Sequence, residues 1–169
     1  MTPFNALSPW YALWTRSRHE VVVREQLTRK GIEAFLPTIG KWSRWKDRRK
    51  KIEWPLFPGY CFARFTREEA LSVLTCMGVV TIVSFNGKPA PIANEEVTGL
   101  RRVVETEMVY DPCPLTREGT IVEVISGPLK GIVGRLVSKD AQHAGVMLAV
   151  ELINQAVRVR VDAADVRPR

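Results

Sequence analysis

Residues 55–65 read PLFPGYCFARF, and the order of kinks and aromatics in this stretch decides the architecture around it. Pro58 fixes φ and Gly59 reaches backbone conformations barred to other residues, so the chain can turn sharply into a strand. Tyr60, Phe62 and Phe65 supply that strand's large side chains. By composition the stretch is a core corner, with Phe57, Tyr60 and Phe62 gathered around a bend. The same aromatics would also suit an apolar groove that accepts a partner's helix. Cys61, among apolar neighbours, reads as a core thiol.

Immediately upstream lies KWSRWKDRRKK, residues 41–51, with Lys41, Arg44, Lys46, Arg48, Arg49, Lys50 and Lys51 against Asp47 alone. Its net +6 accounts for nearly all of the formal +7 of the 169-residue chain. The segment turns around residues 47–48 and returns through Ile52 and Trp54, which makes it a hairpin arm on the order of 20 Å long at ~3.3 Å per residue. With Trp42 and Trp45 interleaved, such cations suit a phosphate backbone with exposed bases nearby. A solubilising hairpin with inward tryptophans would carry the same residues.

Further upstream, Trp10 to Thr15 has the content of a buried strand. Ser17 and Glu20 fit a capping box opening a helix that buries Val23 and Leu27 and stops at Gly31. Glu33 to Pro37 is a short strand closed by proline.

Downstream, Thr66 to Glu69 is a second capping box, opening a helix with Ala70, Leu71, Leu74 and Met77 on one face. Residues 79–83 read as a buried strand and Asn86-Gly87 as a tight turn. Asn94 then caps a helix with Val97, Leu100 and Val104 on one side. Residues 111–114 (DPCP) read as a stiff linker. After it the pattern becomes short strands at 119–125, 131–138, 146–152 and 156–161, which suggests a small barrel. The expected divisions are a disordered tail at 1–9, an α+β domain at 10–107, a linker at 108–117 and an all-β barrel at 118–169.

Signals for chemistry are sparse. His19 and His143 have no partner at nucleophile–base spacing. The pairs Glu68/Glu69 and Glu95/Glu96 sit at helix N-termini, where they compensate the dipole. Cys61, Cys76 and Cys113 form no metal-ligand cluster. There is no phosphate-binding glycine loop or zinc-protease motif. The reading is a binding protein without catalytic residues, metal or cofactor. No signal peptide is visible, and no apolar run approaches the ~20 residues of a membrane helix; a cytoplasmic monomer is expected.

Together these features resemble the NusG family of transcription elongation factors. The shared features are Trp10-Tyr11, a capped helix before EAFLP, the basic hairpin, LFPGY at 56–60, KPAPI at 88–92 before an acidic-capped helix, and a KOW-type motif from about Glu118 to Gly145. The resemblance implies an NGN domain, an antiparallel sheet with flanking helices, followed by an SH3-like KOW barrel. It implies binding to the clamp helices of RNA polymerase's largest subunit through Tyr11, Phe57, Tyr60 and Phe62, with suppression of pausing or termination. It also implies that Arg16, Arg18 and His19 face the non-template DNA strand, or RNA, beside the arm. The start WTRSRHEVVVREQL is similar to specialised paralogs of the RfaH and UpxY type. A ribosomal protein or Rho is the implied KOW partner, through Leu129, Lys130, Gly131 and Ile153. The chain departs from the family's frequent aromatics at Leu129 and Ile153. Residues 119–161 are rich in β-branched alternation, so a permanent barrel is expected rather than a helical alternative. The competing reading is a ribosome-associated RNA-binding protein, since a KOW barrel and a basic arm also serve there.

Overall fold

The structure, a computed structural model, describes residues 8–45 and 48–169, and for residues 41–45 and 48–51 it describes the backbone alone. The chain divides into two compact units, 1–94 and 95–169. None of the described helices is long and apolar enough to cross a membrane.

The first unit holds β1 (Trp10–Thr15), α1 (Glu20–Arg29), β2 (Glu33–Phe35), β3 (Thr38–Trp45), β4 (Arg48–Pro55), β5 (Tyr60–Arg64), α2 (Ala70–Leu74), β6 (Val79–Ile82) and the short pair β7 (Ser84–Phe85) and β8 (Lys88–Pro89). Four strands form an antiparallel sheet in the order β2-β5-β1-β6. β3 and β4 form the separate two-stranded arm. Leu13, Val23, Leu27, Ile32, Cys61, Ala63, Phe65 and Val73 are buried together, with Tyr11 packed on them. Residues i and i+2 of a strand share a face. Leu13 pairs with Cys61, and Tyr11 with Ala63, so these four mark the sheet face that packs on α1 and α2.

Local chemistry explains most of the boundaries. Helix α1 ends in a Schellman motif. Gly31 has φ +76°, its N–H donates to the Thr28 carbonyl, and the Ile32 N–H donates to the Leu27 carbonyl, with both apolar side chains buried. The capping box at Thr66–Glu69 forms, the Glu69 carboxylate accepting from the Thr66 N–H at 3.0 Å. Asn86 and Gly87, both at positive φ, close the β7–β8 hairpin.

Four expectations are corrected. The capping box at Ser17–Glu20 does not form. Arg18 adopts φ +64°, which leaves Ser17 outside the helix, and His19 is the N-cap residue without a side-chain cap. Glu20 is instead buried at the helix's positive end. The tail expected at 1–9 is shorter among the described residues: Ser8 is buried and the Pro9 carbonyl accepts from the Phe65 N–H at 3.4 Å. Residues 1–7 lie outside the described residues. On the third helix Val103 is fully buried and Val104 is not.

The fourth correction concerns the segment read as linker. The second unit holds α3 (Asn94–Glu105) apart from its first residue, β9 (Tyr110–Cys113), β10 (Ile121–Val124), β11 (Val133–Lys139), β12 (His143–Val150), β13 (Gln155–Asp162) and β14 (Val166–Pro168). Its six strands run antiparallel in the order β14-β10-β11-β12-β13-β9. β9 comes from the DPCP stretch. Pro112 is tolerated because β9 is an edge strand, where a missing N–H costs no ladder bond. Asp111 then faces Arg158 of β13 across 3.2 Å.

Candidate functional site

The LFPGY corner is built by a β-turn over Phe57 to Tyr60. Pro58 occupies the second position and Gly59, at φ +88°, the third, as a type II turn requires. The Tyr60 N–H donates to the Phe57 carbonyl at 3.1 Å, and the Thr15 N–H donates to the Gly59 carbonyl at 2.8 Å. The turn thereby fixes where β5 starts against the end of β1.

That register decides which aromatics meet. Trp14 pairs with Tyr60, Ala12 with Phe62, and Trp10 with Arg64, all on the sheet face opposite the α1/α2 core. Tyr11 lies on the other face, its ring 4.6 Å from that of Phe65. The structure therefore brings Tyr60 and Phe62 together and separates them from Tyr11. Accessibility divides the set again. Phe57 and Phe62 are buried, and the Phe62 ring stacks 6.1 Å from Phe35. Tyr60 is half-buried, and beside it Trp14 is 54% exposed. Trp14 was missed in the sequence reading. The sequence carries no signal for it, because Trp14 reads there as part of a buried strand; its exposure at the end of a strand otherwise buried comes from the structure alone. At the other end of the same face the Arg64 guanidinium lies 4.8 Å over the Trp10 ring and 3.6 Å from Glu33. Its Nη2 also donates to Asn94 at 2.9 Å.

Arg16, Ser17 and Arg18 are exposed on the turn between β1 and α1. The Arg16 N–H donates to the Gly78 carbonyl at 2.7 Å, and the His19 N–H to the Arg16 carbonyl at 3.1 Å. His19 is half-buried, and its Cβ lies so close to Gly78 that a side chain there would come within 2.7 Å. The turn thus presents Arg16 and Arg18 and holds His19 back. The arm's backbone is paired from Thr38↔Pro55 to Trp45↔Arg48. Lys46 lies outside the described residues, as do the side chains of Lys41, Arg44, Arg48, Arg49, Lys50 and Lys51.

In the second unit Leu129 and Ile153 are buried, whereas Lys130 and Gly131 are exposed. The Gly127–Lys130 turn explains this: the Lys130 N–H donates to the Gly127 carbonyl at 3.2 Å, and Leu129 between them points inward. A surface hollow of about 320 Å³ lies along β12 and β13, lined by Asp111, Lys139, Asp140, His143, Arg158 and Arg160 among others. Arg160 Nη2 donates to His143 Nδ1 at 3.0 Å. The backbone N–H groups of His143 and Gln142 hold the Asp140 carboxyl below its usual range. Near the start of α3, partial burial and then the charges of Glu151 and Glu95 raise the pKa of Glu96.

Comparison with known proteins places this geometry. A family model described as transcription termination factor nusG matches residues 8–101. The transcription termination/antitermination protein NusG of Streptococcus pyogenes, in serotypes M1 and M3, is 28% identical over 154 aligned residues, and the match covers 82% of this chain and 85% of that protein. A solved structure of Thermotoga maritima NusG, described as showing domain interaction, superposes with a TM-score of 0.56 at 23% identity, covering 95% of this chain and 97% of that one. The fold is therefore that of NusG, a mixed α/β NGN part followed by an antiparallel KOW part. With more than half of its residues matched by the family model, the chain belongs to the NusG family.

Proposed function

We propose that this chain is a transcription elongation and antitermination factor that binds the clamp helices of RNA polymerase's largest subunit and suppresses pausing or termination. The observation that carries the reading is the Trp14/Tyr60 pair, two large aromatics side by side at the accessible end of the sheet face opposite α1 and α2. The rest of that face is buried at Trp10, Ala12 and Phe62. An exposed tryptophan flanking a tyrosine is the composition of a binding hot spot. Phe62, buried farther along the same face, and Phe57, buried at the turn, support the pair's position rather than touch the partner. Polymerase binding is assigned to residues 10–107, and a KOW partner, a ribosomal protein or Rho, to residues 118–169 through exposed Lys130 and Gly131. The arm and the Arg16/Arg18 turn add a grip on non-template DNA or RNA. The protein acts in the cytoplasm as a monomer, by binding alone, and resembles operon-specific paralogs.

Capture of polymerase by the full chain, scored beside read-through of a terminator, tests the reading. Wild-type protein retains polymerase and raises read-through, and Trp14→Ala with Tyr60→Ala abolishes both. Retention of ribosomal RNA in place of polymerase would replace this reading with that of a ribosome-associated protein.

A further inference from the structure

The hollow of about 320 Å³ along β12 and β13 has a glycine for its floor. Gly145 pairs with Arg160 on one side and with Ser138 on the other, so the three form one row across the sheet. A Cβ at Gly145 would collide with the Ser138 hydroxyl and come within 3.1 Å of the Arg158 stem. The bare glycine therefore lets a hydroxyl and an arginine draw together over the backbone. Arg158 and Arg160 alternate with the buried Val157, Val159 and Val161, which turns both guanidinium groups outward. The carboxylates at this hollow are already engaged. Asp140 accepts the N–H groups of Gln142 and His143, each at 2.8 Å, and Asp111 accepts from Arg158 Nη2 at 3.2 Å. The cations are less fully used. Arg160 donates to an uncharged acceptor, His143 Nδ1, and forms no ion pair with any described residue. Lys139, next to Ser138, is exposed on the lining.

We propose that this hollow binds a phosphate monoester, the terminal phosphoryl group of a small molecule, through Arg158, Arg160, Lys139 and the Ser138 hydroxyl. Guanidinium forks match phosphate oxygens two at a time, and the lysine adds a point charge. The volume sits at the lower end of the ~300–1,000 Å³ typical of small-ligand sites. A continuous nucleic-acid strand fits less well. The adjoining hollow, which shares Val109, His143 and Arg160, carries Asp162 and Asp165, so a polyanion continuing past Arg160 would meet carboxylates. Beyond Arg158 it would meet Asp111. Among the described lining residues there is also no Phe, Tyr or Trp on which a base could stack. A compact anion stays among the donors. Ser138, Lys139, Arg158 and Arg160 belong neither to the Trp14/Tyr60 surface nor to the KOW-partner set, so the site stands apart from polymerase capture.

The test follows the amide NMR shifts of the isotope-labelled full chain at constant ionic strength. Its probes are inorganic phosphate, uridine 5′-monophosphate and an oligouridylate with hydroxyl ends. The first two are expected to shift the amides of residues 138–145 and 158–160 saturably, and the oligouridylate is expected to leave those amides in place. Comparable shifts there from the oligouridylate overturn the terminal-phosphate assignment in favour of a nucleic-acid backbone. Saturation by inorganic phosphate without a response to the monophosphate overturns the monoester, and shifts that only grow linearly with either overturn the site. Arg158→Gln with Arg160→Gln is expected to raise the Kd of the monophosphate by ~10-fold or more. An unchanged Kd overturns the proposal. Lys139→Gln, at an exposed position, is expected to raise Kd ~3-fold and decides the matter if the double variant does not fold. Asp111→Asn frees Arg158 from its carboxylate and is expected to lower Kd ~3-fold; a higher Kd there overturns the arrangement.

Discussion

At the scale of single residues, the sheet register sorts the aromatics into groups with different consequences. Tyr60→Ala is expected to weaken polymerase capture by ~2 kcal/mol, the loss typical of a partly exposed anchor, with little change in thermal melting. Phe62→Ala should behave in the opposite way. Its side chain is fully buried, so truncation is expected to cost ~3–5 kcal/mol of stability, read as a lower denaturant midpoint. Glu96 provides a pH-dependent case. Its carboxyl is raised by partial burial, then by Glu151 and Glu95, so the folded state holds its proton more tightly than the unfolded chain does. The stability associated with that proton is present below the ordinary carboxylate pKa and is lost as pH rises through the raised value. Glu96→Gln should therefore raise the melting temperature at neutral pH and make no difference in acid, and thermal melts across pH 3–8 check both.

At the scale of elements, the LFPGY corner was legible because Pro-Gly chemistry allows few turns, and the structure forms one of them. Gly59→Ala places a side chain at φ +88° with no neighbour to clash, so only backbone strain opposes it. A loss of ~1–2 kcal/mol is expected in chemical denaturation. Helix ends were legible where glycine or a complete capping box sets them, as at Gly31 and Thr66–Glu69. The start of α1 was not, because Ser17 and Glu20 have the right spacing while the left-handed backbone at Arg18 breaks the geometry between them. β9 was also illegible, since two prolines in DPCP read as a stiff spacer. Only the partner strand shows that an edge position tolerates Pro112 and that Arg158 awaits Asp111. The faces of the LFPGY aromatics followed the same rule: alternation is visible in sequence, but the strand that pairs with each residue is not. Trp14 joins Tyr60 only through the β1–β5 register.

At the scale of the whole molecule, the strands of the second unit carry a prediction about permanence. β12 and β13 are joined by eight paired positions, from His143↔Asp162 to Val150↔Gln155, and their inward valines are buried. A hairpin of that length with a buried face, paired further to β11 and β9 on its two sides, opposes conversion to helix through its cross-strand contacts. Amide hydrogens of these two strands should keep their protection from exchange when the full chain is saturated with polymerase, and their loss would reveal a refolding unit. The three free thiols differ in a way that serves such an experiment. Burial pushes Cys61 up to about 12, Cys76 is buried, and Cys113 is only half-covered on edge strand β9. Because the thiolate is the reactive form, a maleimide dye should attach at Cys113 in preference to the two core thiols. The natural sequence thus supplies one fluorescent reporter on β9, an outer strand of the second unit, placed to register detachment of that strand without any engineered cysteine.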